Sequence, residues 1–428
     1  MLSSASWACA EKPADVDILR AGDATPEPSE PDDPNEQIPP PDEEGCHAIY
    51  AQDLLPTFEL TIDEDTWDDL EWEWEHGEKQ KDKGKDPTPY HSLTEFRYGD
   101  IVITDAEIRL RGNPKSWENS PDKMQLHIAF DRVDKGGRFL GLESVALESS
   151  HMNRHMLRDR LALSIIRDMG VIAACANSVR VDVNGEYYGL YTNLEKFNEV
   201  FLERVFEDPT GDLWDRHSWE LKTNKKTSNS DRIEALADVE DLEELETYLD
   251  VAQALKVYAA EAIIPDSDGC WAGGMNYFFY DDPISGKFKL IPWDMDSTFD
   301  RFNDGKNGEY PDNPDPVVWH KEERYHGRIW YEIALEDEDW FWYYIDAIKT
   351  QVEAAYDVEV LHEKIATWTD QIKESVLEDD NKPFSNSKYL DEIEDLEDFV
   401  EARAEWLDEW LECWEDGGQP DNKGYCDD

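Results

Sequence analysis

Apolar residues recur at every second position in Phe58-Glu-Leu-Thr-Ile62, Ile101-Val-Ile103, Glu107-Ile-Arg-Leu-Arg111 and Met124-Gln-Leu-His-Ile-Ala-Phe130. This is the period of half-buried strands. In Ser178 to Tyr191 two such runs flank Asn184-Gly185, a two-residue hairpin turn, since both turn positions need positive φ. Asn276-Tyr-Phe-Phe-Tyr280 and Lys287-Phe-Lys-Leu-Ile-Pro-Trp293 read as two further strands. Helical spacing takes over elsewhere. Residues 152 to 169 carry a broad face of Met156, Leu157, Leu161, Leu163, Ile165, Ile166 and Met169, stopped by Gly170. Asp63 to Leu70 opens an acidic helix after the first strand, and longer helices are predicted over about 232–262, 329–356, 359–377 and 389–414. Segment 76–92, densely charged with Gly and Pro, reads as an exposed excursion, and 303–328, rich in Gly, Asn, Asp and Pro, as a long loop that lies over the site, binds calcium or is plain surface. The outcome is an α+β fold, a mostly antiparallel sheet packed with helices and followed by a C-terminal helical region.

Composition changes that picture at the edges. With 428 residues and 17 Trp, 18 Tyr and 15 Phe, the chain has material for one large core. The expected division is a tether over 1–48, a main domain over 49–350, packed helices over 351–414 and an acidic tail over 415–428. The start, Met1 to Ala10, places small residues before Cys9, and an acidic, Pro-rich stretch follows. It reads either as the end of a lipoprotein signal, with a lipid anchor at Cys9, or as an ordinary disordered N-terminus. No run is long and apolar enough to span a membrane. The six cysteines show no zinc spacing, and Cys413 with Cys426 are near enough in sequence to pair in an exported protein.

A formal charge of −60, from 101 acidic and 41 basic residues, excludes nonspecific binding to nucleic acid or anionic membrane, which this surface would repel. It favours a basic protein partner or calcium. The candidate chemistry lies where the strand Lys287–Trp293 delivers Asp294 and Asp296 to its carboxyl end, while Asp266, Asp268 and Asn276 precede the neighbouring strand. Acidic and amide oxygens gathered this way suit Mg²⁺ and a phosphate ester. Asp266 and Asp268 lie in one turn, and either is able to face inward. Arg111 and Gly112 at one bend, with Lys123 on the return strand, add cations able to meet phosphate oxygens.

Arg109-Leu-Arg-Gly-Asn113, Lys123 to Phe130, Val183 to Tyr191 with Glu195, Asp268 to Tyr280, and Ile291-Pro-Trp-Asp-Met-Asp-Ser-Thr-Phe299 together resemble the CotH kinase family of atypical protein kinases. The resemblance covers about residues 55 to 350. It implies a distorted kinase-like fold in a spore-coat, surface or secreted protein, extracellular on a bacterium, that uses ATP and Mg²⁺ or Mn²⁺ to phosphorylate Ser or Thr of a partner. That acceptor is expected to be basic and Ser-rich. Residue by residue, it implies Lys123 on the phosphates with Glu195 as its orienting partner, and Arg111 holding the nucleotide. Asp268 would be the catalytic carboxylate, Asn276 and Asp294 metal ligands, and Asp296 a further ligand or a support. The chain departs from the family's pattern in Met124 after Lys123, in Asn153, in Gly273-Gly-Met before Asn276 and in Asp300. The alternative is a catalytically silent surface or coat protein that binds partners or calcium through its acidic face.

Overall fold

The computed structural model describes residues 45–112, 120–151, 153–216, 219–299, 314–317, 329–418 and 420. Strand β1 (Thr57–Thr61) leads into helix α1 (Glu64–Lys81), which Asp63 caps by accepting from the Thr66 amide at 2.9 Å. Short strands β2 (His91–Ser92), β3 (Glu95–Tyr98), β4 (Ile101–Ile103), β5 (Glu107–Leu110), β6 (Leu126–Ala129) and β7 (Ser144–Glu148) follow. Helix α2 (Arg158–Asp168) precedes the long hairpin of β8 (Ala176–Val183) and β9 (Glu186–Leu194). After α3 (Glu199–Val205) come β10 (Asp212–Asp215) and β11 (Glu220–Leu221). Next are α4 (Asp231–Ala237), α5 (Leu242–Tyr248), α6 (Val251–Ile263) and the short α7 (Cys270–Gly273), then β12 (Tyr277–Asp282) and β13 (Lys287–Pro292). Helices α8 (Ile329–Leu335), α9 (Glu338–Ala355), α10 (Val358–Glu378) and α11 (Asn386–Glu415) complete the described chain.

The architecture is α+β. One sheet runs in the order β2-β5-β6-β7-β9-β8-β1-β3-β4, and a smaller one in the order β11-β10-β12-β13. Only β1 with β8 is parallel among the described strand pairs. The larger sheet is covered on both faces. Val145 and Leu147 of β7 enter one core with Phe58, Phe96 and Phe139, whereas Ala146 between them enters the other with Leu161, Ile165 and Leu190. Met124, Leu126, Ile128 and Phe130 all join the first core, as their alternation requires. Asn184 (φ 54°) and Gly185 (φ 84°) close the β8–β9 hairpin in left-handed conformations.

Several expected boundaries move, each for a local reason. The helix over 152–169 begins only at Arg158, because the chain before it turns through Met156 at φ 56°. The single helix over 232–262 is three, since Asp241 and Asp250 accept from the Glu244 and Gln253 amides and restart the helix each time. Asp337 does the same between α8 and α9, accepting from the Trp340 amide. Cys46, within the stretch expected as a tether, is fully buried and disulfide-bonded to Cys175. Cys413 is also disulfide-bonded, while Cys426 and Cys9 lie outside the described residues. The loop over 303–328 lies outside them too, apart from 314–317.

The C-terminal helices touch the sheet and the region of the site. Tyr187 of β9 donates to the Ser375 carbonyl of α10 at 2.9 Å. Arg403 of α11, fully buried, donates to the Ala262 and Ile263 carbonyls at 2.8 and 3.1 Å. Those carbonyls end α6 and have no helical partner of their own, so Arg403 satisfies them and fixes where the next loop starts.

Candidate active site

That loop, Ile264 to Gly269, meets the end of the β12–β13 hairpin. The ladder pairs Tyr277 with Pro292, and the Trp293 amide continues it by donating to the Asn276 carbonyl at 2.9 Å. Asn276 and Asp294 therefore come together at the mouth of one hairpin. Both sit in left-handed backbone, φ 53° and 61°, a conformation that disfavours a residue with a Cβ and gathers at functional sites. The Asn276 amide donates to Asp268 Oδ2 at 3.1 Å, and the Ser267 amide donates to the Ser297 carbonyl at 3.1 Å. Asp268, Asn276 and Asp294 are thus brought to one place from two elements.

The geometry separates Asp268 from Asp266. Asp266 is fully buried and faces Glu261, itself fully buried and accepting from the Trp271 amide at 2.6 Å. Burial and the Glu261 charge push the Asp266 carboxyl far above its ordinary range, and burial holds Glu261 at about 8. The pair braces the turn into α7, while half-buried Asp268 lies toward Asn276. Gly269 is needed there, since a Cβ would fall 2.5 Å from Asp266 Oδ2. Asp296 belongs to the same side: its carbonyl accepts from Arg158 at 2.6 Å, and its charge adds to that on Asp266.

Cations approach Asp294 from the larger sheet. The Arg111 amide donates to the Gln125 carbonyl at 3.0 Å, extending the β5–β6 ladder, and its side chain pairs with Glu148. Arg111 and Lys196 both lie over the Trp293 ring, at 5.7 and 5.6 Å from its centre. Burial raises the Asp294 carboxyl above its usual range, and these two cations offset part of the rise. Lys196 has no ion-pair partner among the described residues. Burial, with the charges of Arg111, Lys222 and Arg109, lowers its ammonium to about 7. Arg111 pairs with Glu148 and Lys222 with Asp215 at 3.0 Å, so the excess positive charge here rests on Lys196.

Lys123 and Glu195 do not pair, which corrects the expected contact. Lys123 is 1% exposed and donates to Asp379 Oδ2 at 2.7 Å, at the carboxyl end of α10. Glu195 is buried beside Arg204, which donates to it at 2.6 and 2.9 Å, and also accepts from the Cys175 amide at 2.9 Å. Both ionic groups have a local partner, so neither needs the other. Lys196 was missed because it and Glu195 lie just past the end of β9, where strand alternation no longer assigns a side chain to a face. Asp159 was missed as well. It is buried among the apolar residues of α2, and burial and the Asp294 charge raise it to about 6.

Among the described residues no three His, Cys, Asp or Glu side chains gather into a metal cage. A cage is not what a nucleotide-bound Mg²⁺ requires, since one or two carboxylates suffice when phosphates and water supply the remaining oxygens. The donors present, Asp294 and Asn276, are the hard oxygens such a cation takes. A separate cavity of about 400 Å³, lined by Asp212, Ser228, Arg232 and Asp281, shares no residue with this cluster.

The CotH kinase protein family matches residues 108–407. Inner spore coat protein H of Bacillus subtilis is 22% identical over 316 residues, covering 68% of this chain and 83% of that protein. Invasin CotH2 of Rhizopus delemar is 24% identical over 214 residues, covering 41% of this chain and 35% of that protein. Among solved structures, the Helicobacter pylori proinflammatory kinase CtkA aligns with 70% of this chain and 94% of its own, at 13% identity and a TM-score of 0.32.

Proposed function

The chain belongs to the CotH kinase protein family, and we propose that it is an atypical protein kinase that moves the γ-phosphoryl group of ATP to a Ser or Thr hydroxyl of another protein. The observation that carries this reading is the convergence of Asp268, Asn276 and Asp294 beside Arg111 and an unpaired Lys196. Phosphoryl transfer is catalysed mainly by positioning and by neutralising charge. Asn276 and Asp294 would hold the divalent cation, which supplies charge neutralisation between the phosphates when bound. Lys196 and Arg111 meet the phosphate oxygens, Lys196 taking the role that the sequence suggested for Lys123. Asp268 accepts the proton of the incoming hydroxyl as the new oxygen–phosphorus bond forms and the bond to ADP breaks. The Asn276 amide keeps the Asp268 carboxylate turned toward that hydroxyl.

The disulfide between Cys46 and Cys175 and the bonded Cys413 support an exported protein, because such bonds persist in oxidising compartments. A charge of −60 supports a basic, Ser-rich acceptor. The test is incubation of the chain with γ-labelled ATP and Mg²⁺ or Mn²⁺ beside Asp294→Ala, following label on a basic acceptor. Metal-dependent labelling that falls by at least about 100-fold in the variant is expected, the scale on which a single charge-stabilising group acts. Absence of both labelling and any nucleotide-induced thermal shift in the unaltered protein would instead favour a silent, partner-binding protein.

A further inference from the structure

Asp159 is 2% exposed, and its Oδ2 has no hydrogen-bond partner. It stands in the first turn of α2, whose N-cap, Leu157, offers no side-chain bond. The helix end accounts for a negative charge at that position. It does not account for a second carboxylate, Asp294, close enough for its charge to raise Asp159. Arg111, paired with Glu148, and Arg158, donating to the Asp296 carbonyl, offset part of that rise, and neither hydrogen-bonds the free Asp159 oxygen. A buried carboxylate with an unpaired oxygen near the half-buried Asp294 is left unbalanced unless a proton or a cation lies beside it. The contact is built in, because the Arg158 bond to Asp296 clamps the start of α2 onto the turn that follows Asp294.

We propose that Asp159 is the second carboxylate ligand of the divalent cation, holding it together with Asp294. This rests on the kinase reading and adds to it a ligand from α2. Asp294, on the smaller sheet's hairpin, and Asp159, on the helix that follows β7, would hold the cation from two separate elements. Loading the site would tie α2 to the β12–β13 hairpin. Asp159 thereby couples the placement of the helix to the presence of the metal.

The test uses the full chain, Asp159→Asn, Asp159→Glu and Asp294→Asn, titrated with Mn²⁺ alone by calorimetry and by thermal melting. Mn²⁺ should raise the melting temperature of the unaltered protein. Asp159→Asn should weaken Mn²⁺ binding by at least about 10-fold, the loss that even an outer partner of a metal ligand produces. Its metal-free melting temperature should equal or exceed that of the unaltered protein, because the repulsion with Asp294 is gone. Asp159→Glu keeps the charge and should retain part of the Mn²⁺ response, so the comparison stands even if the Asn variant folds poorly. Mn²⁺ binding unchanged in Asp159→Asn but lost in Asp294→Asn would overturn the role of Asp159 and leave the kinase reading intact. No Mn²⁺ response in the unaltered protein, with or without ATP, would overturn both.

Discussion

Lys123 and Lys196 are both lysines next to β-strands of the same sheet, and the structure gives them opposite work. Lys123 is sealed between Tyr191, Gly189 and Asp379, its charge matched by one carboxylate that also accepts from the Leu190 amide at 3.0 Å. Lys196 lies over Trp293 among cations, near Asp215 and Asp294 but ion-paired to neither among the described residues. The first environment is complete, so it stabilises. The second has no ion pair among the described residues, which is why the proposed phosphate contact falls on Lys196. A buried charge reports function when its neighbourhood leaves it unbalanced, and structure when its neighbourhood completes it.

The comparison breaks first at Lys123. Lys123→Met should lower unfolding free energy by about 3–5 kcal/mol, because Asp379 is left buried and unmatched, as measured by denaturant unfolding. Little loss would mean that the junction of α10 with the sheet does not depend on this pair. Next comes Lys196→Met, expected to reduce phosphoryl transfer by about 100-fold without lowering the melting temperature, since it removes repulsion from Arg111, Lys222 and Arg109. If Lys123→Met costs activity at unchanged stability while Lys196→Met costs none, the two roles are exchanged. Gly189→Ala should cost about 1–3 kcal/mol: Gly189 has φ 153°, and a Cβ there would lie 2.9 Å from Asp379 Oδ2 and 3.0 Å from the Lys123 side chain. Smallest is the double change Lys123→Met with Asp379→Leu, which should recover most of the loss of the single variant, to within about 1 kcal/mol, because an apolar pair can replace a buried ion pair.

Much of the scaffold was legible. Alternation marked β1, β5 and β6, the Asn184-Gly185 turn marked the long hairpin, and the run ending in Pro292 marked the strand that delivers Asp294. Helix interruptions at Asp241, Asp250 and Asp337 were misread because apolar spacing continued across them, although each Asp is a competent cap. The candidate site was legible where its residues lie close in the chain, as Asp268, Asn276 and Asp294 do. It was illegible where a residue's meaning depends on a distant partner: Lys123 and Asp379 are 256 positions apart, and Asp159 precedes Asp294 by a long intervening stretch.

The sequence by itself determined the strands, the hairpin turn, the acidic surface and the oxygen donors at the end of β13, because period, turn chemistry and net charge are local or summed properties. Which carboxylate pairs with Lys123, which of Asp266 and Asp268 meets Asn276, and which buried carboxylate comes near Asp294 were decided only when distant segments packed. Burial and the charges that surround a group set its state, and both are properties of the folded chain.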